Sequence, residues 1–194
     1  MKHLLLLFLL GFACASPVEK TFAEKLSDAA ISLTKDDVRY DGTYFKIPYP
    51  NGDVPKGKGV CTDVVIRAYR KLNIDLQKEV HEDMKANFSK YPKSWGLKSP
   101  DTNIDHRRVP NLQVFFTRKG TSLPVTDKAA DYKPGDIVTW MLSGNLPHIG
   151  IVVNRKSEKN SDGYMVVHNI GGGQNLNDCL FDYKVTGHYR YQKK

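Results

Sequence analysis

Cys61, His148 and His168 are residue types that together suit nucleophilic catalysis: a sulfur nucleophile, a proton acceptor, and a group to orient that acceptor. Cys61 stands in Gly59-Val60-Cys61-Thr62-Asp63-Val64-Val65-Ile66-Arg67-Ala68-Tyr69-Arg70. Val64, Val65, Ala68, Tyr69 and Leu72 recur at helical spacing, which predicts a helix over 61–72 with Asn73 as its stop. Thr62 and Asp63 fall in its first turn, where hydroxyls and carboxylates suit unpaired backbone N–H groups. A thiol at that end meets the positive pole of the helix, which favours thiolate. Two structural readings compete with the nucleophile: a disulfide with Cys179, and an inert buried thiol.

The strand pattern supplies the partners. In Pro147-His148-Ile149-Gly150-Ile151-Val152-Val153, His148 shares a face with Gly150 and Val152, and in Tyr164-Met165-Val166-Val167-His168, His168 shares one with Val166 and Tyr164. The polar stretch 154–163 predicts a hairpin. Pairing Val152 with Tyr164 sets His148 opposite His168, with Cβ atoms roughly 4.5–5.5 Å apart, near enough for an imidazole–imidazole hydrogen bond. A slip of one residue would instead present Asn169 and reverse the faces. His148 is therefore the expected base and His168 its orienting partner, with Asn169 as the alternative. Strand-capping polar residues are the structural reading of both histidines.

Asp63 is expected to support the thiol. His106-Arg107-Arg108 lies in a loop and suits the clamping of a substrate carboxylate, because guanidinium and carboxylate match as a fork. Surface ion pairing is the competing reading of that run. Zinc is the chemical rival, since Cys61, His148 and His168 are all ligand types. The chain has no His-Glu-x-x-His run and no paired cysteines, so neither metal nor cofactor is expected. No Gly-x-Ser-x-Gly elbow points to serine chemistry.

Positioning these groups requires a scaffold. Helical periodicity covers 19–33, 61–72 and 76–88, with at most a short helix over 111–118. The segments 35–55 and 91–109 read as extended or looped chain, rich in Pro, Gly and Asp. Strands are expected over 136–142, 148–153, 164–170, 180–185 and 188–191, separated by turn-forming residues such as Ser143-Gly144-Asn145 and Gly171-Gly172-Gly173. Helices first and antiparallel strands afterwards indicate an α+β fold.

Lys2 and His3, the apolar run Leu4 to Phe12 and the small residues Ala13-Cys14-Ala15 read as a secretory signal cleaved after Ala15. That leaves a single domain over 16–194, secreted or periplasmic, with no later segment apolar enough to span a bilayer. The formal net charge is +8, one unit less without Lys2, and suits anionic surfaces such as cell-wall polymers or lipid headgroups. Lys and Arg are scattered and no nucleic-acid motif is present, so nucleic acid is not an expected partner. The sequence leaves the oligomeric state open.

Cys61-x-Asp63 at a helix start, Lys133-Pro134-Gly135-Asp136-Ile137 leading into a strand, His148-Ile149-Gly150-Ile151 and then Val167-His168 resemble, in order, the NlpC-type cell-wall cysteine peptidases. The resemblance implies a compact papain-like fold, Cys61 as nucleophile, His148 as base, His168 as its polar partner, and hydrolysis of amide bonds in peptidoglycan peptides without a cofactor. Where that family has Asp-Cys-Ser-Gly, this chain has Val60-Cys61-Thr62-Asp63. A second resemblance, to a secreted bacterial family of unassigned function, runs through most of the chain. It is carried by Tyr49-Pro50-Asn51-Gly52-Asp53-Val54-Pro55, Gly59 to Asp63, Val80-His81-Glu82-Asp83-Met84, Asn103 to Arg108 and Thr186-Gly187-His188-Tyr189-Arg190. The alternative function is a cell-wall binding module of the same shape, in which Cys61 is structural.

Overall fold

The computed structural model describes residues 19–193; the expected signal segment, Cys14 included, lies outside them. Four α-helices and eight strands follow in chain order: α1 (Phe22–Leu33), β1 (Arg39–Tyr40), β2 (Lys58–Gly59), α2 (Cys61–Arg70), α3 (Leu76–Asn87), α4 (Val109–Lys119), β3 (Thr121–Ser122), β4 (Ile137–Leu142), β5 (Leu146–Lys156), β6 (Tyr164–His168), β7 (Asn175–Asn177) and β8 (Lys184–Arg190). Strands β3 to β8 form one antiparallel sheet in the order β3-β8-β4-β5-β6-β7, and β1 and β2 pair in parallel beside it. The fold is α+β, as the order of helical and strand patterns indicates. No helix among the described residues is long and apolar enough to cross a membrane.

Local chemistry explains the helix starts. Thr21 and Glu24 close a reciprocal cap at α1, each side chain reaching the other's backbone N–H. At α4, Pro110 occupies the first turn, where its missing N–H would have no helical acceptor anyway. The sequence reading ended the loop at 109 and allowed at most a short helix over 111–118; the helix runs Val109–Lys119.

Alternation along the strands divides the interior into two cores. Ile137, Ile149, Ile151, Val153 and Val167 face the helices, joining Leu26, Cys61, Val64, Val65 and Phe116. Val138, Trp140, Val152 and Val166 face the other way, joining Tyr132, Cys179 and Leu180. This division decides which thiol meets which imidazole.

Three expectations about the sheet need correction. The stretches 180–185 and 188–191 are not two strands: Leu180–Tyr183 is irregular, and β8 runs unbroken through Gly187. Its pairing with β4 shifts between Thr139 and Trp140, opposite Gly187 and Val185, so Thr186 is an extra, bulged residue. The short edge strand β7, within a Gly- and Asn-rich stretch, carries too little apolar pattern to be read. The register of β5 against β6 also differs, and it bears on the histidines.

Candidate active site

Helix α2 begins without a side-chain cap on Val60. Asp63 compensates, its Oδ2 accepting the Val60 N–H at 2.7 Å. The same carboxylate takes a fork from Arg107, whose Nε and Nη2 donate to Oδ1 and Oδ2, each at 3.0 Å. Both side chains are almost fully buried, at 2% and 3% exposed. Thr62 donates to the carbonyl of Arg107 at 3.1 Å. The 105–107 turn is thus bolted to the helix start that carries Cys61. This corrects the reading of Arg107 as a substrate clamp: its fork is engaged within the protein.

The other two members of that run diverge. His106 is buried, its Nδ1 has no hydrogen-bond partner among the described residues, and burial followed by the neighbouring Arg107 pushes its pKa down to about 3. It cannot reach a substrate. Arg108 lies over the Trp95 ring, with its guanidinium carbon 4.1 Å from the centroid.

Cys61 opens onto a cleft of about 310 Å³ lined by Tyr40, Trp95, Arg107, Arg108, Pro110 and Pro147, among others. Tyr40 was missed by the sequence reading because its surroundings carry no periodic pattern. Its phenol lies near enough to the thiol that a charge on Cys61 raises its pKa, after the larger effect of burial. The thiol itself is not a preformed thiolate. Burial pushes its pKa up to about 12, against opposing backbone contacts from Ile149, Thr62 and Cys61 itself. Desolvation outweighs the helix-end field that the sequence reading favoured.

His148 and His168 meet: Nε2 of one lies 2.7 Å from Nδ1 of the other. They meet diagonally and not face to face as the simple hairpin predicted. His168 pairs with Gly150, and Val152 pairs with Val166. Between Val152 and Lys156, β5 advances four residues while β6 advances only two, from Val166 to Tyr164. Those two extra residues shift the register by two, which preserves the faces and still leaves ring-to-ring reach.

The pair extends further. His168 Nε2 lies 3.0 Å from Asn177 Oδ1 and 3.5 Å from Cys179 Sγ. Burial lowers the pKa of both histidines, that of His148 to about 3, so each ring carries one proton near neutral pH. An amide oxygen only accepts, so His168 Nε2–H donates to Asn177 and its Nδ1 accepts from His148 Nε2–H. His148 Nδ1 then holds a lone pair. That atom is not among the buried unpartnered polar atoms of the described residues.

Neither imidazole is hydrogen-bonded to Cys61 among the described residues. The sulfur in contact with the pair is that of Cys179. Alternation is the reason: Ile149, next to His148, points into the helix layer where Cys61 sits. The chain neighbours of His148 flank the thiol, Pro147 lining the cleft and the Ile149 backbone reaching Cys61, while the His148 ring itself packs against Trp140. Both cysteines are free, so no disulfide joins them. Asn169 is also turned toward the Cys61 side, its Nδ2 donating to the Gly59 carbonyl at 3.4 Å, and it does not orient His148. No group of three or more His, Cys, Asp or Glu converges at metal-binding spacing among the described residues.

Comparison with known proteins gives a family and a fold. Residues 27–191 match the family described as "Domain of unknown function (DUF1287)". An uncharacterized protein of Escherichia coli (strain K12), YijF, is 48% identical over 172 residues, covering 86% of this chain and 80% of that protein. Among solved structures, an N-acetylmuramoyl-L-alanine amidase from Bacteroides uniformis superposes with a TM-score of 0.53 at 12% identity, covering 88% of this chain and 99% of that one. NlpC2 from Trichomonas vaginalis superposes at 0.47 with 17% identity over 91% of this chain, which spans about half the length of that protein.

Proposed function

Taking as premise that the chain belongs to the DUF1287 family, whose fold is shared with an amidase, we propose that it is a cysteine-dependent amide hydrolase acting on peptidoglycan peptides. The observation that carries the proposal is the Asn177–His168–His148 relay, which leaves Nδ1 unprotonated on the residue next to Ile149, whose backbone reaches the Cys61 thiol.

In this reading a peptide carbonyl enters the cleft and Cys61 Sγ attacks it. The proton passes to His148 Nδ1, and His168 holds the ring in the tautomer that can accept it. The pKa of about 12 at Cys61 makes this base essential, because the sulfur at rest is a thiol. The oxyanion is met by the Cys61 N–H, a first-turn donor without a helical acceptor. His148 then returns the proton to the leaving amine. Water, deprotonated by the same ring, cleaves the resulting thioester. This reading requires the His148 ring to come within hydrogen-bonding reach of Cys61 in the substrate complex, where catalytic hydrogen bonds commonly form. The net charge, +8 less one for Lys2 once the expected signal is removed, favours approach to anionic wall polymers, consistent with the secreted or periplasmic site that residues 1–15 suggest.

The rival reading is a wall-binding module with a resting thiol, favoured by the absence of a Cys61–imidazole hydrogen bond among the described residues. Incubating purified sacculi with wild type and with Cys61→Ala, followed by mass spectrometry of released muropeptides, separates the two. The hydrolase yields new fragments with wild type alone; the binding module yields none, and both forms pellet with the sacculi.

A further inference from the structure

The cleft beside Cys61 contains a second group whose bonding capacity is unmet. Arg67, Arg70, Arg107, Arg118 and Arg190 each donate directly to a carboxylate. Arg108 does not. Its nearest acid is Asp105, with Nη1 to Oδ1 at 3.8 Å, beyond hydrogen-bonding distance. Asp105 Oδ1 is itself buried and unpartnered among the described residues. The Arg108 side chain is only 17% exposed, so its fork is drawn out of bulk water without full compensation. The Trp95 ring lies beneath the guanidinium, its centroid 4.1 Å from the central carbon. Arg107, the other cation lining the cleft, is already closed on Asp63.

From this arrangement we infer that Arg108, braced on Trp95, is a carboxylate-binding subsite of the Cys61 cleft, so that the peptide taken there is acidic. The inference rests on the hydrolase reading only for which bond lies over Cys61; the binding step stands without it. A carboxylate fits the planar fork with two parallel N–H···O bonds, and a neutral amide of the same shape cannot. An arginine already desolvated and immobilised loses little further freedom on binding, which favours selectivity between the two. The exposed side of Trp95, at 41%, offers apolar surface to the aliphatic part of the same residue.

The test is titration calorimetry on full-length protein with two probes: a soluble peptidoglycan stem peptide with free carboxylates, and the same peptide with those carboxylates amidated. Wild type is expected to bind the free acid at least about tenfold tighter, the range of one charge-assisted hydrogen bond. Arg108→Gln should bind both probes equally and weakly. Arg108→Lys, which keeps the charge but not the fork, should retain a reduced preference and confirms that the variants fold. Equal binding of the two probes by wild type, binding of neither, or an undiminished preference in Arg108→Gln overturns the inference. Because no turnover is read, a failure here is distinct from a failure of sacculus digestion, which bears on Cys61 alone.

Discussion

Replacing Arg107 by Met tests whether the 105–107 turn secures the nucleophile's helix or serves the substrate. The variant leaves Asp63, 3% exposed, with the Val60 N–H and only the unbonded charge of Arg67 nearby. Breaking one side of a buried ion pair costs about 3–5 kcal/mol, because the remaining charge stays desolvated. Nothing about this pair warrants a discount for solvent screening, since both partners are buried and the fork is doubly bonded. For a domain of this size each kcal/mol moves the melting midpoint by about 2–4 °C, so a fall of roughly 6–20 °C is expected. Urea unfolding of wild type, Arg107→Met, Asp63→Leu and the double variant gives the full cycle. The double variant should recover most of the loss, since it buries no orphaned charge. A loss below about 0.5 kcal/mol in Arg107→Met, the range of ordinary surface substitutions, would refute the buried-bolt reasoning and return Arg107 to the substrate.

Three further outcomes follow from the buried groups. His106 and His148 have folded pKa values near 3, below the ordinary 6.5, so the unfolded chain binds more protons between those values. Their contribution is fully present above about pH 6.5 and is lost as pH falls toward 3, by up to about 4–5 kcal/mol per histidine. Asp105, raised to about 6 by burial, opposes part of this loss between its unfolded and folded values. Urea midpoints should therefore fall from neutral pH to mild acid, and less steeply in His106→Gln; a flat profile contradicts the assignment. With thiol pKa values pushed up to about 12, Cys61 and Cys179 should both alkylate more slowly than a free thiol at neutral pH, with rates still climbing past pH 9. A rate plateau at Cys61 below pH 7 would mean a standing thiolate instead. Asn177→Leu should release His168 to its other tautomer and slow turnover by at least about tenfold, since a mis-set tautomer in a comparable triad costs up to ~10⁴. Nitrogen NMR shifts of His148 Nδ1 unchanged by that substitution would remove Asn177 from the relay.

Much of the fold was legible because burial writes a period into the chain. The stripe from Val64 to Tyr69 and the alternation from Ile149 to Val153 could each be satisfied by one element type only. The two histidines were legible for the same reason, since alternation fixed their face. What escaped were features set by backbone geometry or distant partners. The two extra residues of β5 between Val152 and Lys156 leave no mark in the pattern, so the register was misplaced by two although the imidazoles still met. Asn177 lies on a three-residue strand too short to show alternation, and Arg107 finds its partner 44 residues away. The state of Cys61 was misjudged because helix-end position is visible in sequence whereas burial is not.

The central claim, that Cys61 becomes acylated by a wall peptide, is tested most directly by rapid acid quenching of wild type with soluble peptidoglycan fragments and intact-mass analysis. The account predicts a transient adduct of one acyl fragment, mapped to the peptide containing Cys61 and absent in Cys61→Ala, with His148→Ala forming it far more slowly. Fragment release continuing in Cys61→Ala, or an adduct that maps to Cys179, would contradict it.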